Sequence, residues 1–210
     1  MIDLYTYATP NGRKASIMLE ETGLPYEAHL VDIERGEQKA PPFLAMNPNG
    51  KIPVIVDRDT GRTVFESGAI LFYLADRSGV LRPESKDERM TVLQWVLFQA
   101  AHVGPMMGQL WNYKVFADEK LPYVIGRFER EVGRIFGVLD AELARCEHVA
   151  GPRYGIADVM TWPWIDAHGA LGLTLDPYPN LKRWHAAVGE RPAVRRGLRV
   201  PEVPAHEGQG

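Results

Sequence analysis

The pattern of apolar and polar positions divides the chain into a mixed first part and a helical remainder. Strict alternation predicts strands, and apolar positions three or four residues apart predict helices. The first part reads, in order, as strand, helix, strand, strand, strand and helix, over residues 2–7, 13–22, 26–32, 53–57, 63–65 and 67–76. Residues 36–46 form a polar, proline-containing connection that has room for a short helix.

The order of these elements indicates a topology. A strand-helix-strand unit joins parallel strands, and the next two strands flank an Asp-Arg-Asp-Thr-Gly turn that is typical of a hairpin. A βαβ unit followed by a ββα unit is the arrangement of a thioredoxin-like α/β domain.

The remainder of the chain follows the helical period. Predicted helices span 89–102, 122–146, 156–171 and 180–189, and a last turn starts at Pro192. Gly104-Pro105 is expected to kink or interrupt the chain after the first of them. We therefore predict an α/β domain, a linker, an all-α helical domain and a flexible tail, over residues 1–79, 80–87, 88–200 and 201–210.

Composition narrows the classes of function. The net charge is -3, so we expect no nucleic-acid partner. No apolar run approaches the ~18 residues of a membrane helix and no secretory signal is visible, so we expect no membrane partner. The single cysteine, Cys146, excludes an intrachain disulfide framework and favours a reducing cytoplasm. His102, His148, His168 and His185 lack metal-ligand spacing, and we predict no metal.

Two short segments predict a ligand site. In the first, Ile52-Pro53 enters an apolar, β-branched run, where a proline suits the start of a strand. An X-Pro bond can be cis, which here would turn the backbone N–H and C=O of Ile52 toward a ligand. In the second, Glu66-Ser67 opens a helix pattern, where Ser67 can cap and the first N–H groups attract a carboxylate. Together they suit a small, peptide-like, anionic ligand.

These segments resemble the glutathione-binding half of the cytosolic glutathione S-transferase superfamily. The likeness extends from Met1 to about Leu198. With the turn Thr9-Pro10-Asn11-Gly12 they are most similar to the bacterial nu class. That resemblance implies a dimeric, glutathione-dependent disulfide-bond oxidoreductase or peroxidase. Members of the class bind two glutathione molecules or glutathione disulfide, and they lack a catalytic cysteine.

The resemblance places the chemistry at the end of the first strand. Thr9 and Asn11 stand there, where other classes have cysteine, serine or tyrosine. Disulfide exchange needs a thiolate, so bound glutathione must supply it, and Thr9 and Asn11 would donate hydrogen bonds to its sulfur. Two alternatives stay open: a catalytic tyrosine at Tyr5 or Tyr7, and a purely structural Asn-Gly turn.

The same resemblance implies the anchors of glutathione. Ile52, before Pro53, would pair with the cysteinyl backbone, and Glu66 and Ser67 would hold the γ-glutamyl end. Gln38 and Lys51 would meet the glycine carboxylate, unless they are ordinary solvated side chains. Arg127 would be offered from the helical domain, within the chain or across a dimer. Its alternative is a surface ion pair with Glu131, four residues on.

Three functions remain open on the sequence. The leading one reduces small disulfides or peroxides with glutathione. A second conjugates glutathione to an electrophile, and a third is a non-catalytic adaptor on the same scaffold.

The Gly155-Ile156-Ala157-Asp158 segment further resembles the family's Ser/Thr-x-x-Asp capping box, with glycine in place of the hydroxyl residue. Asp158 can still bind the preceding backbone.

Overall fold

A four-stranded sheet forms the centre of the first part of the chain. Its strands are β1 (Ile2–Thr6), β2 (Tyr26–Leu30), β3 (Val54–Asp57) and β4 (Arg62–Phe65), in the order β2-β1-β3-β4. β1 runs parallel to β2 and antiparallel to β3, and β4 is antiparallel to β3. The predicted βαβ-ββα topology is therefore confirmed in this computed structural model, which describes residues 1–202.

Three α-helices accompany the sheet in this part, α1 (Pro10–Thr22), α2 (Pro41–Met46) and α3 (Ser67–Ser78). α1 begins three residues before the predicted start because Thr9 caps it and Pro10 occupies its first position, where a missing N–H costs nothing. It ends at Gly23, whose φ of 65° is the left-handed conformation that glycine adopts most readily. The connection before β3 holds α2, as the sequence allowed.

The helices of the second part are α4 (Lys86–Phe98), α5 (Gly104–Trp111), α6 (Pro122–Leu143), α7 (Ile156–Asp166) and α8 (Pro179–Gly189). The predicted interruption at Gly104-Pro105 takes the form of a π-helical segment, Gln99–Val103, immediately before α5. Proline removes a backbone donor, and a wider turn accommodates that loss without ending the helical path. A second π-helical segment, Asn112–Phe116, follows α5.

Asp158 caps α7 as expected, with glycine at the cap position. Its carboxylate accepts the Gly155 N–H at 2.9 Å, the Val149 N–H at 3.0 Å and the Trp184 indole N–H at 2.7 Å. The carboxylate is fully buried. It therefore joins the start of α7 to α8 and to the preceding loop, because the buried donors of Val149 and Trp184 need an acceptor.

The last short helix of the described residues groups with the first part of the chain. The helical unit is Leu81–Arg191, whereas residues 192–202 join Met1–Val80. α9 (Pro192–Gly197) packs on α1: Ser16 Oγ donates to the Gly197 carbonyl at 2.8 Å, and Arg196 Nε donates to Glu20 at 2.6 Å. Helical periodicity in the sequence does not indicate which unit a short last helix will pack against.

Of the predicted tail, residues 203–210 lie outside the part that the structure describes. Within residues 1–202, no helix combines the length and the apolarity that crossing a bilayer requires.

Candidate active site

The strand register brings eight of the predicted site residues to one end of the sheet. Tyr5 of β1 lies opposite Val54 of β3, which lies opposite Phe65 of β4. Thr6, the last residue of β1, lies opposite Leu30, the last residue of β2. The segments that leave β1, β2 and β4 therefore start at the end of the sheet where the segment entering β3 arrives. They carry Thr9, Asn11, Gln38, Lys51, Ile52, Pro53, Glu66 and Ser67.

The Thr9 turn presses the first turn of α1 against the end of β1. Thr9 Oγ1 accepts the N–H of Gly12 at 3.2 Å, so its own hydroxyl proton is directed elsewhere. A Cβ on Gly12 would stand 2.1 Å from the Tyr7 carbonyl oxygen and 2.5 Å from Thr6 Oγ1. Only glycine fits here. The N–H groups of Gly12 and Arg13 both donate to Thr9, so they offer a ligand the helix dipole but not a hydrogen bond.

Asn11 is held by a residue that the sequence analysis did not single out. Lys14 Nζ donates to Asn11 Oδ1 at 2.9 Å. Because an ammonium group has only donors, this bond turns the amide oxygen toward Lys14 and the Nδ2 group away from it. Asn11 is half-buried, whereas Lys14 is only 2% exposed.

Burial sets the charge state of Lys14. Desolvation lowers the pKa of its ammonium to about 7, although the carboxylate of Glu66 acts in the opposite direction. The electrostatic influence of Glu66 links the α1 segment to the segment after β4. The signal that could have identified it is that Lys14 directly precedes the largely apolar segment 15–19, all of which is buried, since lysine is almost never fully buried unless it is paired.

The segment entering β3 has the predicted backbone. The Ile52–Pro53 bond is cis. Asn47, also missed in the sequence, braces the turn before it: its Nδ2 donates to the Lys51 carbonyl at 2.7 Å and its Oδ1 accepts the Asn49 N–H at 3.0 Å. Within residues 1–202, the N–H of Ile52 donates no hydrogen bond and its C=O accepts none, so both groups can pair with a ligand backbone.

Glu66 and Ser67 differ from the prediction in one respect. Glu66, not Ser67, is the N-cap residue of α3, and Ser67 is the first residue of the helix. No side-chain capping bond is made there. Glu66 has a φ of 67° and a ψ of 116°, a strained conformation for a residue with a side chain. Strain of this kind is concentrated at ligand-binding sites, and the exposed carboxylate is available to a cation.

Gln38 and Lys51 flank the site differently. Gln38 is half-buried, its Nε2 donates to the Ile33 carbonyl at 3.3 Å, and its buried Oε1 has no hydrogen-bond partner among the described residues. The alternative of a solvated loop side chain therefore does not describe Gln38. The backbone carbonyl oxygen of Gln38 lies 3.2 Å from where a Cβ on Gly50 would stand, and Gly50 is next to Lys51. Lys51 is exposed.

Tyr5 and Tyr7, the alternative catalytic tyrosines, each interact with another side chain of the first unit. Tyr5 stacks on His29 with ring centroids 4.7 Å apart. Burial raises the pKa of Tyr7, and its hydrogen bond to the Glu34 carboxylate raises it further. A phenol whose proton is held by a carboxylate is a poor donor to a thiolate, so Thr9 and Asn11 remain the better candidates.

Arg127 lies on α6 of the second unit and is exposed. The alternative ion pair with Glu131 is not formed; Arg134 binds that carboxylate instead, at 2.7 and 3.0 Å. The role of Arg127 as a ligand residue stays a prediction.

Asp3, Glu27 and His29 are close enough together to hold a metal ion. However, Arg58 already donates to Asp3 at 2.7 Å and to Glu27 at 2.6 Å. The guanidinium group is the main reason that the pKa of Asp3 falls to about 2. This cluster is better explained as an ion-pair network than as a metal site.

Family models match both parts of the chain. The model of the glutathione S-transferase N-terminal domain matches residues 8–77, and that of the glutathione S-transferase C-terminal domain matches residues 107–192. With the thioredoxin-like sheet and the site at its end, these matches identify the class: the chain belongs to the glutathione S-transferase family.

Individual relatives are similar over nearly the whole chain. The disulfide-bond oxidoreductase YfcG of Escherichia coli strain K12 is 41% identical over 203 residues, which cover 94% of each chain. A glutathione transferase of Burkholderia graminis, solved with two glutathione molecules per subunit, is 43% identical, with a TM-score of 0.89 over 96% of this chain and 88% of that one. A Pseudomonas putida glutathione transferase with one glutathione disulfide per subunit is 39% identical, with a TM-score of 0.88 over 95% and 91%.

Proposed function

We propose that this protein is a glutathione-dependent reductase of small disulfides or peroxides, in which bound glutathione supplies the thiolate. The observation that carries the proposal is the pair Thr9 and Asn11 at the end of β1, where a thiol nucleophile would otherwise stand. The only cysteine of the chain, Cys146, belongs to the helical unit. The relatives named above, one a disulfide-bond oxidoreductase and others with glutathione or its disulfide bound, support the same assignment.

Glutathione would be held along its backbone and at both ends. The N–H and C=O of Ile52 would pair with the cysteinyl residue. The Glu66 carboxylate would accept from the γ-glutamyl ammonium, and Ser67 at the start of α3 would donate to its carboxylate. Lys51 and Gln38 would meet the glycine carboxylate. Holding both ends fixes the sulfur next to Thr9 and Asn11, and positioning of this kind contributes much of the rate of a bimolecular reaction.

At the sulfur, the Thr9 hydroxyl and the Asn11 amide would each donate a hydrogen bond to the thiolate. Donors to the charged form lower the pKa of a thiol. The thiolate attacks one sulfur of the substrate disulfide, forming a mixed disulfide with glutathione and releasing the other half as a thiolate. A second glutathione thiolate attacks the mixed disulfide, giving glutathione disulfide and the second thiol. Two glutathione molecules are oxidised, one disulfide is reduced, and the released thiolates take up the protons lost by glutathione.

The test is glutathione-dependent reduction of 2-hydroxyethyl disulfide, coupled to glutathione reductase, with wild type and Asn11→Ala. We expect clear turnover that falls at least about tenfold in the variant, a transition-state loss of ~1.4 kcal/mol. Cys146→Ala is the matched control and should keep the wild-type rate. If wild type shows no turnover above background, disulfide reduction is wrong, and activity toward chlorodinitrobenzene then separates conjugation from a binding role.

We further propose the finer features that the resemblance implies: nu-class membership, a cytoplasmic location, a homodimer, and a glutathione contact from Arg127. Sedimentation equilibrium measures the assembly directly. An Arg127→Gln variant should bind glutathione more weakly, whereas Arg134→Gln, which removes the partner of Glu131, should not.

A further inference from the structure

Lys14 is a buried charged residue next to the proposed catalytic turn. We propose that Lys14 is a positioning residue that acts through Asn11, fixing the Asn11 amide so that its N–H group faces the glutathione sulfur. The inference rests on the function proposed above and adds a residue to its machinery.

The geometry of the bond selects one orientation of the amide. Lys14 Nζ donates to Asn11 Oδ1 at 2.9 Å, and an ammonium group, which has only donors, cannot accept from the amide nitrogen of asparagine. In the opposite orientation of the amide, its oxygen would face the thiolate. A carbonyl oxygen next to a thiolate is repulsive, whereas an N–H group is stabilising, so the orientation decides the sign of the interaction.

The surroundings of Lys14 keep the bond in place. Lys14 is 2% exposed, and Ala15 to Leu19 after it are also buried, so the side chain cannot reach solvent while α1 is folded. Gly12 fixes the same turn from the other side, because it lies against the Tyr7 carbonyl oxygen. Glu66, at the start of α3, favours the charged form of Lys14. The charged form selects the orientation of the amide, since a neutral amine can accept an N–H as well as donate one.

A double-mutant cycle tests whether Lys14 acts through Asn11. The proteins are wild type, Lys14→Met, Asn11→Ala and the double variant. Three quantities are measured for each: the pKa of bound glutathione from its thiolate absorbance, kcat and KM for 2-hydroxyethyl disulfide, and the Kd of glutathione by calorimetry. We expect Lys14→Met to raise the thiol pKa and to lower kcat at least about fivefold, with Kd nearly unchanged. In the Asn11→Ala background, Lys14→Met should change neither the thiol pKa nor kcat further.

Two further variants separate positioning from folding and from charge. Lys14→Gln keeps an N–H donor without a charge and should retain more of kcat than Lys14→Met. Lys86→Met, at an exposed lysine, should behave as wild type. Melting curves of every variant show whether it is folded. If Lys14→Met is not, Lys14→Gln replaces it in the double-mutant cycle, and its smaller effect on kcat should likewise disappear in the Asn11→Ala background.

The outcomes distinguish this inference from the proposed function. If wild type reduces the disulfide but the effects of Lys14 and Asn11 are additive, Lys14 does not act through Asn11 and the inference is wrong. Equal kcat values for wild type, Lys14→Met and Lys14→Gln would also overturn it. If wild type neither binds glutathione nor turns over, the proposed function itself fails, and this inference fails with it.

Discussion

The close contact at Gly12 gives the sharpest single prediction. In Gly12→Ala the new Cβ would lie 2.1 Å from the Tyr7 carbonyl oxygen and 2.5 Å from Thr6 Oγ1. Ordinary contacts of a carbon with an oxygen are longer than about 3 Å, so the first turn of α1 must move by roughly 1 Å. The move also weakens the 3.2 Å bond from the Gly12 N–H to Thr9. The Tyr7 oxygen is a backbone atom and cannot rotate away, and the Thr6 side chain is fully buried.

The magnitude follows from two general scales. Overpacking of this kind costs about 1–3 kcal/mol, and a weakened cap adds up to ~1 kcal/mol. For a chain of this size each kcal/mol lowers Tm by roughly 2–4 °C. A displacement of about 1 Å of the groups that face the sulfur can cost up to ~100-fold in rate. We therefore expect a fall in Tm together with a loss of kcat/KM in the 2-hydroxyethyl disulfide assay.

The matched control is Gly137→Ala. Gly137 lies within α6, and a Cβ there meets no other atom within 4 Å. Alanine should then stabilise the helix by roughly 0.5–1 kcal/mol and leave the activity unchanged. If Gly12→Ala had the Tm and kcat/KM of wild type while Gly137→Ala behaved as expected, the close approach of α1 to β1 would not position the site.

Three further predictions follow from buried charges. Burial lowers the pKa of Lys14 to about 7 despite Glu66, so the unfolded chain holds the proton more tightly than the folded one. The free energy of unfolding of wild type should therefore rise relative to that of Lys14→Met between about pH 7 and 10. If urea titrations gave both proteins the same dependence of this free energy on pH, the prediction would be wrong. The pKa of Asp3 falls to about 2, chiefly through Arg58, so its contribution is present above about pH 4 and is lost toward pH 2. Asp3→Asn should therefore show a shallower acid loss of Tm than wild type over that window. Asp158→Ala leaves three donors unpaired, two of them buried, and should destabilise the protein by at least about 3 kcal/mol in denaturant titrations; a loss below about 1 kcal/mol would contradict the network.

Local sequence patterns were sufficient for the elements and for most of the site. Alternation and helical spacing located the strands and the long helices, because each element must bury one face wherever it packs. The turn at Thr9-Pro10, the Ile52-Pro53 pair and the Glu66-Ser67 pair were readable because their chemistry is local. Their meeting also followed from the element order, since a βαβ unit and a hairpin place particular strand ends together.

Other features depended on contacts between segments far apart in the chain. The burial of Lys14 and its bond to Asn11 depend on how tightly α1 lies against β1. The assignment of α9 to the first unit depends on the close approach of Gly197 to Ile17, at 2.7 Å for an added Cβ. Arg134 rather than Arg127 binds Glu131, and a helical spacing alone permits either.

The sequence by itself therefore determined the family, the topology and the residues gathered at the end of the sheet. Only the tertiary structure decided which way the Asn11 amide points, which residue caps α3, and that the lysine bonded to Asn11 is buried. The physical reason is that periodicity and turn chemistry act through neighbours along the chain. The orientation and charge state of a side chain depend instead on atoms that only the packed fold brings within hydrogen-bond distance.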